Sequence, residues 1–280
     1  MNDLSTLEKA TWRLIITPPA EGGWNMALDE ALQISIGRHE QKPALRLFAW
    51  EPPCVSLGYA QPISDIDLNA LNTYGYGIVR RPTGGRAVLH IDELTYSVIA
   101  PDEEPRVQGS IIESYRRLSG ALLHALHLLG INAKADNEYV LPQGTQKNAP
   151  VCFEVPSNYE IVVDEKKIIG SAQARRHRAV LQHGSLPLYG DITRIVDVMT
   201  FPDEEKREKV RARLQEHAVN VSAVLQRDIS WQTAANAFAQ AFSEILNIQF
   251  IACQATEEEL SQAELLHKEK YGTKTWNHHK

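Results

Sequence analysis

Apolar residues recur along this chain with two different periods. Trp24, Ala27, Leu28, Ala31 and Leu32 fall at i, i+3, i+4, i+7 and i+8, one face of a helix, and Gly37 is placed to end it. Residues 111–129 carry the strongest helical pattern, with Gly130 just beyond. Short apolar runs bounded by turn residues predict strands at 12–16, 45–48, 55–58, 78–81, 87–90 and 94–99. Pro52-Pro53 marks a turn between two of them, and Asp65 is a candidate cap for a short helix. The polar stretch 133–148 predicts a loop. Strands at 159–163 and 167–171 flank Asp164-Glu165 as a hairpin, and runs at 180–182 and 185–188 predict two more. From Asp191 onward the pattern is helical, closing on an acidic-to-basic helix over 255–271. Strands and helices mix without regular βαβ alternation. That predicts an α+β fold with a mostly antiparallel mixed sheet and flanking helices.

The length, 280 residues with 43% hydrophobic content, suits one large domain. The expected organisation is a single catalytic domain over residues 1–280, with 191–280 a helical extension packed on it. A net charge of −6 argues against a general affinity for nucleic acid, which needs basic surface. Cys54, Cys152 and Cys253 are odd in number and widely spaced, so neither a disulfide framework nor a zinc site is expected. No signal-peptide pattern and no membrane-length apolar run occur, and a cytoplasmic protein is the expectation.

Three segments carry candidate chemistry. Arg80-Arg81-Pro82-Thr83-Gly84-Gly85-Arg86 lies between two predicted strands. Paired glycines let backbone N–H groups approach an anion or a developing oxyanion, and three arginines suit phosphate. The plain alternative is a Gly-Gly turn with solvated arginines. Lys167-Ile168-Ile169-Gly170-Ser171-Ala172-Gln173 puts a lysine at a strand start before small residues. Such a cation polarises a thioester carbonyl or lowers a thiol pKa, unless it is simply a solvated hairpin lysine. Lys166 has the opposite strand parity, so at most one of the two faces a pocket. Cys152 sits in polar loop surroundings and is the better nucleophile candidate. Cys54 and Cys253 read as small hydrophobes. His90 and His183 are candidates for a general base or for a structural hydrogen bond.

Taken together these motifs resemble the lipoate–protein ligase and octanoyltransferase superfamily. The resemblance lies in residues 80–90, in Glu93-Leu94-Thr95-Tyr96-Ser97, in Lys167 to Gln173, and in the opening Trp24-Asn25-Met26-Ala27-Leu28-Asp29-Glu30. Cys152-Phe153, followed by Pro156-Ser157 and Tyr159-Glu160, looks like the LipM-type octanoyltransferases. LipL-type sequences also carry a cysteine here, but their glycine motif departs from this one. LipB-type enzymes place theirs in another loop. One departure is Ile91, where ligase-type sequences follow the motif histidine with aspartate. A separate C-terminal domain of the kind many ATP-dependent ligases carry is not evident.

The resemblance implies a biotin/lipoate protein ligase-like catalytic domain. It implies that Cys152 accepts the acyl group, with Lys167 as its partner. Substrate contacts are expected from Arg80, Arg81, Thr83, Gly84, Gly85, Arg86, His90, Gly170, Ser171, Ala172 and His183. Octanoyl-acyl carrier protein would be the donor, and the glycine cleavage H protein or another lipoyl domain the acceptor. No cofactor, metal, nucleic acid or membrane is called for, and a monomer is expected. Leu57, Tyr59 and Val88 are candidates for the acyl tunnel, and Arg175-Arg176-His177-Arg178 for docking an acidic carrier. Two rivals remain: an ATP-dependent lipoate ligase, which would stay active after Cys152→Ala, and a non-catalytic lipoyl-domain binder. A biotin ligase fits the glycine–arginine pattern less well.

Overall fold

The computed structural model describes residues 7–136 and 160–278. The first half runs β1 (Ala10–Ile16), α1 (Gly22–Gly37), β2 (Ala44–Phe48), β3 (Cys54–Leu57), α2 (Leu68–Thr73), β4 (Gly77–Arg80), β5 (Val88–His90), β6 (Glu93–Pro101) and α3 (Ile111–Leu128). There follow β7 (Lys134–Asp136), β8 (Glu160–Val163), β9 (Lys166–Arg176), β10 (Ala179–Pro187), α4 (Glu204–His217), α5 (Val221–Leu225), α6 (Trp231–Leu246), β11 (Ile248–Cys253), α7 (Glu257–Leu266) and α8 (Lys274–Asn277).

The main sheet has eight strands in the order β11-β1-β2-β6-β10-β9-β8-β7. β1 pairs in parallel with β11 and β2, and the other neighbours are antiparallel. This is the mixed, mainly antiparallel α+β plan expected from the sequence. Cross-strand register explains its two faces. Leu47, Tyr96, Gly184 and Ser171 form one row across β2, β6, β10 and β9. The next row is Arg46, Ser97, His183 and Ala172. Successive residues of a strand face opposite ways, so one row is apolar core and the other is polar. Tyr96 packs with Leu45, Leu47 and Val98 against α3 and α6, through Leu118, Leu122, Phe238 and Phe242. The opposite face packs Ile15, Phe48, Ile99 and Leu181 against α1.

A second sheet of three strands, β4-β3-β5, carries the glycine motif between β4 and β5. Its core, Val55 and Leu57, packs with Ile195, Val196, Met199 and Leu214.

Several expectations are corrected. Residues 191–280 are not all helical: β11 lies among them and extends the main sheet beside β1. Asn247, in the left-handed conformation, ends α6 and turns the chain into that strand. The short helix α2 is capped by Asp67, not Asp65, because the Asp67 carboxylate accepts from the N–H groups of Asn69 and Ala70. Gly37 is the last helical residue rather than a left-handed stop. A Cβ there would lie 1.8 Å from the carbonyl oxygen of His177 at the tip of the β9–β10 hairpin, so glycine is needed for close approach. β10 is one continuous strand where two runs were expected, and β7 begins within the predicted loop. Asp164-Glu165 does form the β8–β9 turn, with both residues at positive φ. Among the described residues no helix is long and apolar enough to cross a membrane.

Candidate active site

The glycine loop is built by its own arginines. Arg80, at the end of β4, is fully buried and donates from Nη1 to the carbonyls of Gly58 (2.9 Å), Tyr59 (3.2 Å) and Gln61 (2.6 Å). Arg81 Nη1 donates to the Ser56 carbonyl (2.8 Å), and Nη2 to the carbonyls of Gly84 (2.9 Å) and Arg86 (2.7 Å). Substrate contact was expected of both residues. The bonds seen here hold the main chain around the motif, in the bidentate manner that suits guanidinium. Gly84 and Gly85 are left exposed at the loop tip, and Arg86 is half-buried. Gly85 has φ +94, and its carbonyl abuts Gly58 so closely that a Cβ on Gly58 would lie 2.0 Å away. A backbone this exposed and this tightly supported can present N–H groups to an anion.

Beneath the loop run two buried histidine chains. In the first, Thr83 Oγ1 meets His183 Nε2 at 2.6 Å, and His183 Nδ1 lies 3.6 Å from Asp29 Oδ2. Asp29 accepts from Arg46 Nη1 (2.7 Å) and Ser97 Oγ (2.7 Å). Burial works against the Asp29 carboxylate, but Arg46 and then the bonds from His183 and Ser97 outweigh it and hold its pKa below the usual range. Burial pushes His183 down; Asp29 opposes that, and Arg81 and His90 add to it. In the second chain His90 Nδ1 meets Glu93 Oε1 at 2.6 Å and His90 Nε2 meets Ser56 Oγ at 2.7 Å. A carboxylate only accepts, so Nδ1 carries the proton and Nε2 accepts from the serine when the ring is neutral. Trp50 stacks on His90 with ring centroids 4.0 Å apart and donates to Thr95, which donates to the same Glu93 oxygen. The two chains tie the small sheet to α1 and to the main sheet.

The second motif lies on β9. Lys167 is buried, and its Nζ donates to Glu160 Oε1 at 2.6 Å, with both side chains almost wholly out of solvent. Lys166 points the other way and bonds the Gln215 carbonyl near the surface, as strand parity requires. Gly170 and Ser171 pair with Ser185 and Gly184, and Ser171 Oγ meets the Tyr96 hydroxyl at 2.6 Å. Ala172 lies opposite His183. Burial pushes the Tyr96 hydroxyl up to about 12. Cys152 lies outside the described residues. Of the other thiols, Cys54 is buried between Gly22 and β4, and burial pushes it well above the ordinary range, as suits an inert hydrophobe.

A cavity of about 370 Å³ opens beside Glu93, with Trp50, Ile91, Leu188, Tyr189 and Trp231 in its walls. A narrower one, about 40 Å³, is lined by Val88, Leu89, Pro187, Ala218 and Val219. Val219 N–H donates to the Lys167 carbonyl, so this cavity borders the lysine strand. Of the tunnel candidates, Val88 lines that cavity. Leu57 is core, and Tyr59 lies at the surface under the Arg176 guanidinium. In the basic run, Arg175 is tied to the carbonyls of Val107 and Gly109, whereas Arg178 stands exposed at the hairpin tip.

Residues 21–243 match the family described as the lipoyl protein ligase A/B catalytic domain. The chain belongs to that family. A protein of Kyrpidia tusciae named octanoyltransferase LipM is 41% identical over 278 residues, spanning 96% of this chain and 99% of its own length. The protein of that name from Bacillus subtilis is 36% identical over 280 residues, spanning 97% and 99%. Among solved structures, a bipartite lipoate protein ligase from Thermoplasma acidophilum superposes with a TM-score of 0.80 at 29% identity, covering 96% of each chain. A lipoate-protein ligase A bound with ATP gives 0.76 at 29% identity, covering 97% of this chain and 99% of its own.

Within this lipoyl ligase family frame, the structure adds residues not singled out from the sequence. Asp29, Ser56, Glu93 and Glu160 are partners of the named histidines and lysine, and Arg46 is the partner of Asp29. Glu93 stands three residues after His90, and Glu160 closes the Cys152 segment, so those two had a local signal. Asp29 belongs to the opening helix motif, but its role did not show, and Arg46 had no signal, because α1, β2 and β10 meet only in the fold.

Proposed function

We propose that the protein transfers an octanoyl group from octanoyl-acyl carrier protein, through a thioester on Cys152, to a lysine of a lipoyl-carrier domain. The observation that carries this reading is identity of 36–41% over nearly the whole chain with proteins named octanoyltransferase LipM. The chemistry divides into two balanced steps. The Cys152 thiolate attacks the donor thioester carbonyl, and the tetrahedral intermediate collapses with loss of the carrier thiolate, which takes up a proton. The neutral ε-amine of the acceptor lysine then attacks the acyl-enzyme. Its N–C bond forms, the Cys152 thiolate leaves, and the amine proton is released. A thioester is already activated, so the reading calls for neither ATP nor metal.

Lys167 is assigned to stabilise the thiolate, with Glu160 fixing its ammonium group. Backbone N–H groups near Gly84-Gly85 are assigned to the oxyanion. His183 holds that loop through Thr83, and His90 braces Ser56 beside it. The exposed Arg178 supplies positive charge for an acidic carrier. Residues 1–280 would act as one catalytic unit.

Ping-pong kinetics test the reading. Initial rates with octanoyl-acyl carrier protein and a lipoyl domain, without ATP, should give parallel double-reciprocal lines, and Cys152→Ser should be inactive. Intersecting lines with an ATP requirement would instead favour a lipoate ligase, the activity named for the solved structures of the same fold.

A further inference from the structure

We propose that Trp276 and Asn277, at the far C-terminal end of the chain, are positioning residues for the glycine loop. The family match ends at residue 243, so this device lies beyond the matched domain. β4 is an edge strand of the three-stranded sheet, with β3 on one side and, among the described residues, no strand on the other. An edge leaves N–H and C=O groups to be satisfied. At Arg80 they are satisfied by the last helix. Arg80 N–H donates to Asn277 Oδ1 (2.8 Å), and the Arg80 carbonyl accepts from Trp276 Nε1 (2.8 Å). Two side chains thus take the place of a neighbouring strand. Arg80 Nη2 also donates to the Asn277 carbonyl (3.0 Å).

The same Arg80 grips the carbonyls of Gly58, Tyr59 and Gln61 with its other guanidinium nitrogen. That segment in turn supports the motif. Tyr59 N–H donates to the Thr83 carbonyl (2.9 Å), and Gly58 lies directly against the Gly85 carbonyl. Trp276 also packs its ring against Tyr59, with centroids 5.9 Å apart. The chain end is therefore two residues removed from the loop: Asn277 holds Arg80, and Arg80 holds the wall on which Gly85 rests.

The strap is itself anchored. Asn277 Nδ2 donates to the Tyr271 carbonyl (2.9 Å), and the Tyr271 hydroxyl donates to Glu30 Oε2 (2.5 Å). Lys270 bonds the same oxygen (2.6 Å) and lies 4.3 Å from the centre of the Trp276 ring. Glu30 follows Asp29 on α1, and Asp29 meets His183, the partner of Thr83. The loop is thus referenced to α1 from both ends, through His183 and through the C-terminal strap. Arg80 and Asn277 are both buried, so removing a partner leaves a polar group without its bond in a site closed to water.

The test is amide hydrogen exchange with and without the strap's bonds, read beside acyl transfer. Asn277→Ala removes the acceptor for Arg80 N–H. Trp276→Phe removes the indole donor but keeps an aromatic ring. Leu265→Ala, at an exposed position of α7, is the control. Both strap variants should raise exchange in residues 56–61 and 81–87 by about tenfold, the scale of one lost buried hydrogen bond, with α3 and α6 unchanged. They should lower kcat by a similar factor with little change in KM for the donor. Wild-type exchange in those two segments, or exchange raised evenly over the whole chain, overturns the proposal. The activity readout rests on the octanoyl-transfer reading, but exchange is measured without substrate. A wild-type chain that fails to transfer octanoate would sink that reading alone and leave the strap to be decided by exchange.

Discussion

Lys167 and Glu160 lie 2.6 Å apart with little access to water, an arrangement in which each group depends on the other. Lys167→Met removes the buried ammonium group that bonds Glu160 Oε1 and should destabilise the fold by about 3–5 kcal/mol in denaturant unfolding. Lys167→Met with Glu160→Leu should recover most of that stability while transfer stays lost. Recovery of activity in the double variant would show the lysine to be structural. His183 offers a pH-dependent counterpart. Folding lowers its pKa from the ordinary 6.5, so below that value the unfolded chain binds a proton that the folded chain resists. Stability contributed by neutral His183 is complete above 6.5 and falls as pH drops toward the folded-state pKa. His183→Gln should therefore flatten the fall in Tm between about pH 7.5 and about pH 5.5, measured against wild type. Asp29 acts in a lower window, because its lowered pKa places the loss below 3.8. At this scale the sequence made the motif residues legible and their partners obscure. Strand parity separated Lys167 from Lys166, but nothing local to Arg80 and Arg81 announced the backbone carbonyls they hold.

Elements show the same division. The β8–β9 hairpin was legible because Asp164-Glu165 is a local turn signal between alternating runs. Helix α3 was legible because its apolar stripe is long and Gly130 follows it; the capping box of Ser110 with Glu113 is seen in the structure. β11 was not, since its burial alternates weakly at the sheet edge and helices bracket it. Neither was the need for glycine at 37 and 58, which arises from segments distant in sequence. Gly58→Ala tests the second of these. Its Cβ would press on the Gly85 carbonyl, forcing the wall and the glycine loop apart. Overpacking of this kind costs about 1–3 kcal/mol. Transfer should fall with the loss of stability, and thermal unfolding beside steady-state rates will show it. Unchanged rates would mean that the loop's placement against residue 58 is immaterial to the chemistry.

The whole molecule arranges two sheets so that the small one carries the glycine motif over the polar row of the large one. Arg46, Ser97, His183 and Ala172 form that row. The fold class was readable from the mixture of periods, and the family from the motifs. The convergence of α1, β10 and the glycine loop on Asp29 and His183 is a property of the sheet order and was not readable. Cys152 remains the centre of the functional account, and its acylation is the most direct test. Purified protein and a Cys152→Ala variant are incubated with octanoyl-acyl carrier protein, without ATP, and weighed intact. The account predicts one octanoyl adduct, labile to hydroxylamine, on the wild-type chain and none on the variant. An unmodified wild-type chain that loads lipoate onto a carrier domain only when ATP is added would contradict it.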